Sequence, residues 1–168
     1  MVAMMVITSL HMSMMNHGLG DISLVFSAHT IGMYAFSILS GRLVDRWGRG
    51  PVILAGAFAI LAACLSAPFV AGTLPLALAL LLLGLGWNFC FVGGSALLSD
   101  QLAPASRARV QGFNDLLVGL AAAIGSFGSG VLSAAAGYPG VGLSSALLAV
   151  VPLILVARVM RAKSRPAV

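Results

Sequence analysis

The 168 residues are 60% apolar and only 8% charged, with a mean hydropathy of +1.08, a balance outside that of water-soluble domains. The net charge of +5 would suggest a nucleic-acid partner in a soluble chain, but here it falls in short connections and a tail, where lipid headgroups and topology account for it. Cys64 and Cys90 lie in separate apolar segments, giving neither a disulfide framework nor a metal-ligand spacing; no metal, cofactor or enzymatic activity is expected.

Six apolar segments follow one another: 1–15, 22–40, 52–70, 74–98, 110–136 and 141–157. A helix of roughly 20 residues crosses a hydrocarbon core of about 30 Å, so segments two to six can each span, and the expected fold is an all-α membrane protein, a six-helix bundle forming one domain over 1–168. The first segment covers only about 22 Å at the same rise. We therefore expect the chain to begin inside a helix, with an N-terminal part preceding it.

The basic residues alternate with the segments. Arg42, Arg46 and Arg49 fall in the second connection, Arg107 and Arg109 in the fourth, and Arg158, Arg161, Lys163 and Arg165 in the tail, 158–168. The connections 16–21, 71–73 and 137–140 contain none. By the bias of Lys and Arg toward the cytoplasm, the basic side and both chain ends are expected there.

Several helical faces are readable. In the second segment Ser23, Ser27, Thr30, Tyr34, Ser37 and Gly41 fall on one stripe that should not face lipid. In the fourth, Gly84, Asn88, Phe91, Ser95 and Ser99 form a second face beside Trp87. Small residues recur at every fourth position in the third segment (Ala55, Ala59, Ala63, Ala67) and the fifth (Ala122, Ser126, Gly130), a pattern that lets helix backbones approach.

Few side chains can carry chemistry. Histidine exchanges protons near neutrality, and His11 and His29 lie inside apolar segments; His29 lies off the polar stripe, whereas Thr8, Ser9 and Asn16 are near His11 in sequence. His11 and Tyr34 are candidates for a cavity or for proton coupling. Asn88 offers donor and acceptor groups and Trp87 a flat apolar face, making them candidates for contact with a small-molecule substrate; interhelical bonding is the alternative for Asn88. Asp115 could pair with Arg109 or with an arginine of the 41–50 segment as part of a gate at the basic face, and Asp100, with Arg107 and Arg109 just beyond it, invites the same pairing; a helix-end charge that reaches the interface is the alternative. An intramembrane metal site built from His11, His17, His29 and Asp21 matches no known ligand spacing.

The densest charge cluster is Gly41-Arg42-Leu43-Val44-Asp45-Arg46-Trp47-Gly48-Arg49-Gly50, read as a tight polar hairpin between two membrane helices. Glycines there allow a turn within few residues. Asp45 can accept from a helix N-terminus or pair with an arginine, and Arg46 and Arg49 can grip carboxylate or phosphate. The stretch resembles the signature loop of the major facilitator superfamily, Gly-x-x-x-Asp-Arg-x-Gly-Arg, carried here by Gly41, Asp45, Arg46, Gly48 and Arg49, with Gly50 where the family has a further basic residue. The runs Leu83–Phe89 and Arg109–Asp115 are similar to the tenth and eleventh helices of bacterial permeases of that family.

The resemblance implies a cytoplasmic latch at Asp45 and Arg46, and a chain forming the C-terminal half of a twelve-helix transporter. It also implies secondary transport of a small-molecule substrate by alternating access, with the lipid bilayer of a bacterial cytoplasmic membrane around the chain and a second six-helix bundle as partner. A membrane scaffold that does not transport is the alternative, and would not need the latch.

Overall fold

A computed structural model describes residues 1–70 and 72–163. Ala71, in the third connection, and Ser164–Val168, which include Arg165 of the basic tail, lie outside the described residues. The described chain is helical: α1 (Val2–Met14), α2 (Leu19–Tyr34), α3 (Ser37–Trp47), α4 (Arg49–Ser66) ending in a 3₁₀ turn at Ala67–Phe69, α5 (Thr73–Asp100) and α6 (Pro104–Lys163). Hydrocarbon offers no hydrogen bonds, so backbone groups must be satisfied within the segment, which helices do. Hydroxyls inside the helices follow the same logic: Thr8 donates to the Met4 carbonyl at 2.7 Å and Thr30 to Phe26 at 3.1 Å.

Four helical stretches are long and apolar enough to cross a membrane: Leu19–Trp47, Arg49–Phe69, Thr73–Asp100 and Pro104–Arg161. The molecule is an all-α membrane bundle. α1 is shorter, and the fifth and sixth apolar segments form one helical run interrupted only at Gly137, with φ 67° and ψ −174°. That conformation is reserved for glycine, and Pro139 follows where a helix tolerates a missing N–H. The two arms lie antiparallel. Gln111 of the first reaches Ser95 and Met160 of the second lies against Gly50, both at the basic end, while Ser133 and Tyr138 line a groove beside His11 near the other.

The signature segment is where the expected boundaries shift most. Instead of a ten-residue hairpin, α3 continues through Trp47 and α4 starts at Arg49, leaving Gly48 as the whole turn with φ 88° and ψ 165°. No side chain but glycine's hydrogen accepts that geometry readily. Gly41, by contrast, is inside α3 and turns nothing.

α5 is the central element. Gly84 meets Gly32 of α2 on one side, and Gly86 meets Gly56 of α4 on the other. A Cβ on Gly86 would stand 2.7 Å from the Gly56 carbonyl oxygen, and one on Gly56 2.6 Å from that of Gly86. Of the expected alanine ladder on α4, Ala63 and Ala67 are buried and Ala55 is exposed; Gly56 and Ala57 hold the contact surface instead. The apolar core gathers away from the basic end, around Met4, Ile7, Met12, Cys64, Leu80 and Val141.

Replacing Gly86 with Val should therefore lower the thermal midpoint in detergent micelles, with a loss of about 1–3 kcal/mol typical of overpacking. Gly94→Ala, on the same helix but with nothing within 4 Å of its Cβ position, should leave the midpoint unchanged or raise it.

Candidate functional site

The site is built at the basic half of α5, where polar side chains replace the apolar core. Asn88, 2% exposed, faces α2 and α3 rather than open space. Its Nδ2 donates to the Met33 carbonyl at 2.6 Å and to Ser37 Oγ at 2.9 Å, and its Oδ1 accepts from Ser40. In an unbroken helix the Met33 carbonyl would receive the N–H of Ser37. Asn88 takes that acceptor, and the helix breaks at Ala35–Phe36 between α2 and α3, an insertion into the ladder of the kind that kinks helices. All the polar atoms of the Asn88 side chain are thus engaged by α2 and α3.

The aromatic candidates remain more open. Tyr34 is 60% exposed and meets Trp87 edge to face, with ring centroids 6.1 Å apart; Trp87 in turn stacks on Phe91 at 4.7 Å. Trp87, Phe91, Ser95, Asn114 and Val118 line a groove of about 350 Å³ between α5 and the first arm of α6. His11 stacks on Tyr138 at 4.5 Å over a second groove. The Tyr138 hydroxyl lies 2.8 Å from Thr8 Oγ1, whose own proton points to the Met4 carbonyl, so Tyr138 is the donor of that pair.

The polar stripe of α2 is uncovered. Ser23, Ser27, Thr30 and Tyr34 are exposed, whereas Val25, His29 and Gly32 are buried on the opposite side of α2; Ser37, also exposed, begins α3 on the same side as the buried Ser40 and Val44, toward Asn88. His29 is fully buried, with Nδ1 3.0 Å from the Leu80 carbonyl oxygen. A carbonyl only accepts, so Nδ1 carries the proton. Nε2 then presents a lone pair that has no hydrogen-bond partner among the described residues.

At the basic end one of the two acidic side chains Asp100 and Asp115 pairs with an arginine. Asp100 binds Arg49 of the signature segment, Nε to Oδ2 at 2.7 Å and Nη2 to Oδ1 at 3.4 Å, rather than Arg107 or Arg109. The chain reversal between α5 and α6 turns both of those arginines away: Arg107 donates to the Leu102 carbonyl at 3.2 Å, and Arg109 is exposed beside Phe113. With side chains 33% and 50% exposed, the Arg49–Asp100 pair stabilises by only about 0.2–1 kcal/mol, weak enough to open and close. Asp115 accepts from Gln111 at 3.2 Å and Asn114 at 3.5 Å, and Gln111 links onward to Ser95 of α5; among the described residues no arginine forms a salt bridge with it.

Asp45 and Arg46 are exposed in the last turn of α3. Arg46 suits the negative end of the helix dipole there, whereas a carboxylate at that end costs about 0.3–1 kcal/mol. α4 has no side-chain cap, so Asp45 does not serve as the acceptor at that N-terminus. Among the described residues Asp45 has no hydrogen bond or ion pair. The particular partners of Asn88 and of Asp100 were not signalled in the sequence, which offered only interhelical bonding for the one and pairing with an arginine for the other.

Long apolar helices, backbone-to-backbone glycine contacts and charges gathered at one end define an integral membrane protein whose polar groups work between helices. The family model described as Major Facilitator Superfamily matches residues 1–168. The chain belongs to that family.

Its relatives include the uncharacterized MFS-type transporters YddS, 40% identical over 159 residues, and YdeG, 38% identical over 162, both of Bacillus subtilis. These alignments cover 92% and 94% of this chain but 36% and 38% of the relatives. The riboflavin transporter RfnT of Brucella anthropi is 30% identical over 167 residues, covering 96% of this chain and 41% of RfnT. The chain thus spans about two fifths of the length of the curated relatives it matches.

Asn88→Ala should destabilise the bundle by about 1–3 kcal/mol, combining lost interhelical bonds with an unpaired carbonyl. Reversible unfolding in mixed micelles reads this directly. A change below about 0.5 kcal/mol would show that Asn88 is not a structural link.

Proposed function

We propose that this chain is the C-terminal half of a permease that moves a small solute across the membrane by alternating access. The observation that carries the reading is the uncovered polar stripe of Ser23, Ser27, Thr30 and Tyr34, directly opposite the packed face of α2. Polar side chains on a lipid-facing surface are unfavourable, so a second six-helix bundle is the natural cover, with a solute path between the two. Membership of the family and relatives named as transporters support the same conclusion.

In this reading the two arms of α6 are separate spans joined at Gly137, each longer than the roughly 20 residues a crossing needs, which gives six spans with α1. The basic end faces the cytoplasm. Asp45 and Arg46, exposed and aimed away from α4 and α5, form the latch, and their partners belong to the second bundle. Arg49, tied to Asp100, holds the turn in register with the end of α5. His11 and Tyr34 border the solute path. The row Tyr34, Trp87 and Phe91 provides a flat apolar surface next to that path, suited to stacking a planar ring.

Asp45→Asn decides between transport and a scaffold role. In the native-length protein reconstituted in liposomes, the substitution should cut solute flux roughly tenfold or more, equivalent to about 1.4 kcal/mol on the limiting step, with the protein inserted at the parent level. Flux equal to the parent's would remove the latch, and an inserted protein with no flux of any tested solute before mutation would favour the scaffold.

A further inference from the structure

The side of the bundle away from the polar stripe carries a second feature, outside the solute path proposed above. Between α4 and the second arm of α6 runs an open groove of about 350 Å³, walled by Leu54, Phe58, Leu153 and Ile154 and ending at Arg158 and Arg161. Phe58 and Ile154 are left exposed.

The depth of the two arginines follows from a neighbouring contact. A Cβ on Gly50 would stand 2.8 Å from the Met160 sulfur, so Met160 lies level with the first turn of α4, next to Arg49. Arg158 and Arg161 flank Met160 in sequence and are three residues apart, neighbours on one helix surface. They therefore stand at the basic end of the bundle, at the height where headgroups begin. From Gly50 to Phe58 the helix rises about 12 Å, and the apolar wall continues over that distance toward the middle of the bilayer.

Charge and shape are complementary to one kind of molecule. Two guanidinium groups offer paired N–H donors that match phosphate oxygens. Neither α4 nor residues 138–163 contain an Asp or Glu, so the two helices forming the groove bring no carboxylate to it. An apolar wall that ends in such a pair at the headgroup level fits a single lipid with its phosphate above and an acyl chain below. Basic pockets between membrane helices select headgroups of net negative charge on the same principle. We propose that this groove binds one anionic phospholipid of the leaflet at the basic end, its phosphate held by Arg158 and Arg161 and one acyl chain lying along Phe58 and Ile154.

Phe58→Trp places a fluorophore on the wall of the groove. The native-length protein is reconstituted in phosphatidylcholine bilayers containing either brominated phosphatidylglycerol or brominated phosphatidylcholine, and quenching is read on the fluorescence that Phe58→Trp adds to the parent signal. Brominated phosphatidylglycerol should quench at a roughly three- to tenfold lower mole fraction than brominated phosphatidylcholine, and R158Q/R161Q should erase the difference. Leu54→Trp, on the same wall, provides the reading if the first variant is not recovered. Equal quenching by the two lipids would overturn the proposal, as would a preference that survives R158Q/R161Q. Absence of quenching by either would mean that protein covers the groove, and would overturn it equally.

Discussion

The structure depends on how closely α5 approaches two neighbours at once. Gly84 and Gly86 are two residues apart and point to opposite sides, one against Gly32 of α2 and the other against Gly56 of α4. In lipid, apolar side chains gain little by leaving the solvent for another apolar surface, so helices associate through close van der Waals contact and interhelical hydrogen bonds. Hydrogen in place of a side chain at both crossings allows that contact. A bulky residue at either would separate α5 from a neighbour, and the register of Asn88 with Met33, Ser37 and Ser40 would be lost with it.

The division of the bundle into an apolar and a polar end follows from the same helix. Leu76, Leu80 and Leu83 of α5 are buried in the apolar cluster with α1, α4 and the start of the second arm of α6. Toward the basic end, Asn88, Ser95 and Asp100 each connect α5 to a different neighbour: α2 and α3, the first arm of α6, and the start of α4. Directional bonds of this kind fix register but are individually weak. The first arm of α6 is the least held. Phe113, Leu116, Leu120, Ile124 and Phe127 are all exposed, and Ser129 is its one buried residue.

The sequence disclosed the membrane class, the apolar segments, the one-sided distribution of basic residues and the signature segment, because each is a matter of composition and order. It disclosed less about which face of each helix packs. In a soluble protein the polar side of a helix marks its outside; here both sides of α4 are apolar, and a ladder through Ala55 was indistinguishable from one through Gly56. The polar stripe of α2 was legible because it contrasts with its surroundings, and it proves to be the face opposite the packed one. Asn88 was legible as a polar residue in lipid but not as the cause of the break at Ala35–Phe36, since that requires knowing that α5 crosses α2 at Met33. The turn at Gly48 was overestimated in length because charged residues look like loop, although Arg42, Asp45 and Arg46 all project from a helix.

The central claim is that the exposed stripe of α2 borders a water-accessible space closed by a second bundle rather than lipid. Reactivity of a cysteine at Thr30 toward a hydrophilic maleimide tests it most directly, in membranes containing the native-length protein with Cys64 and Cys90 replaced by Ser. Thiolate is the reacting species and does not form in hydrocarbon, so a cysteine at Thr30 should label readily while one at Leu65, exposed on α4, should not. Labelling at Thr30 as slow as at Leu65 would contradict the account.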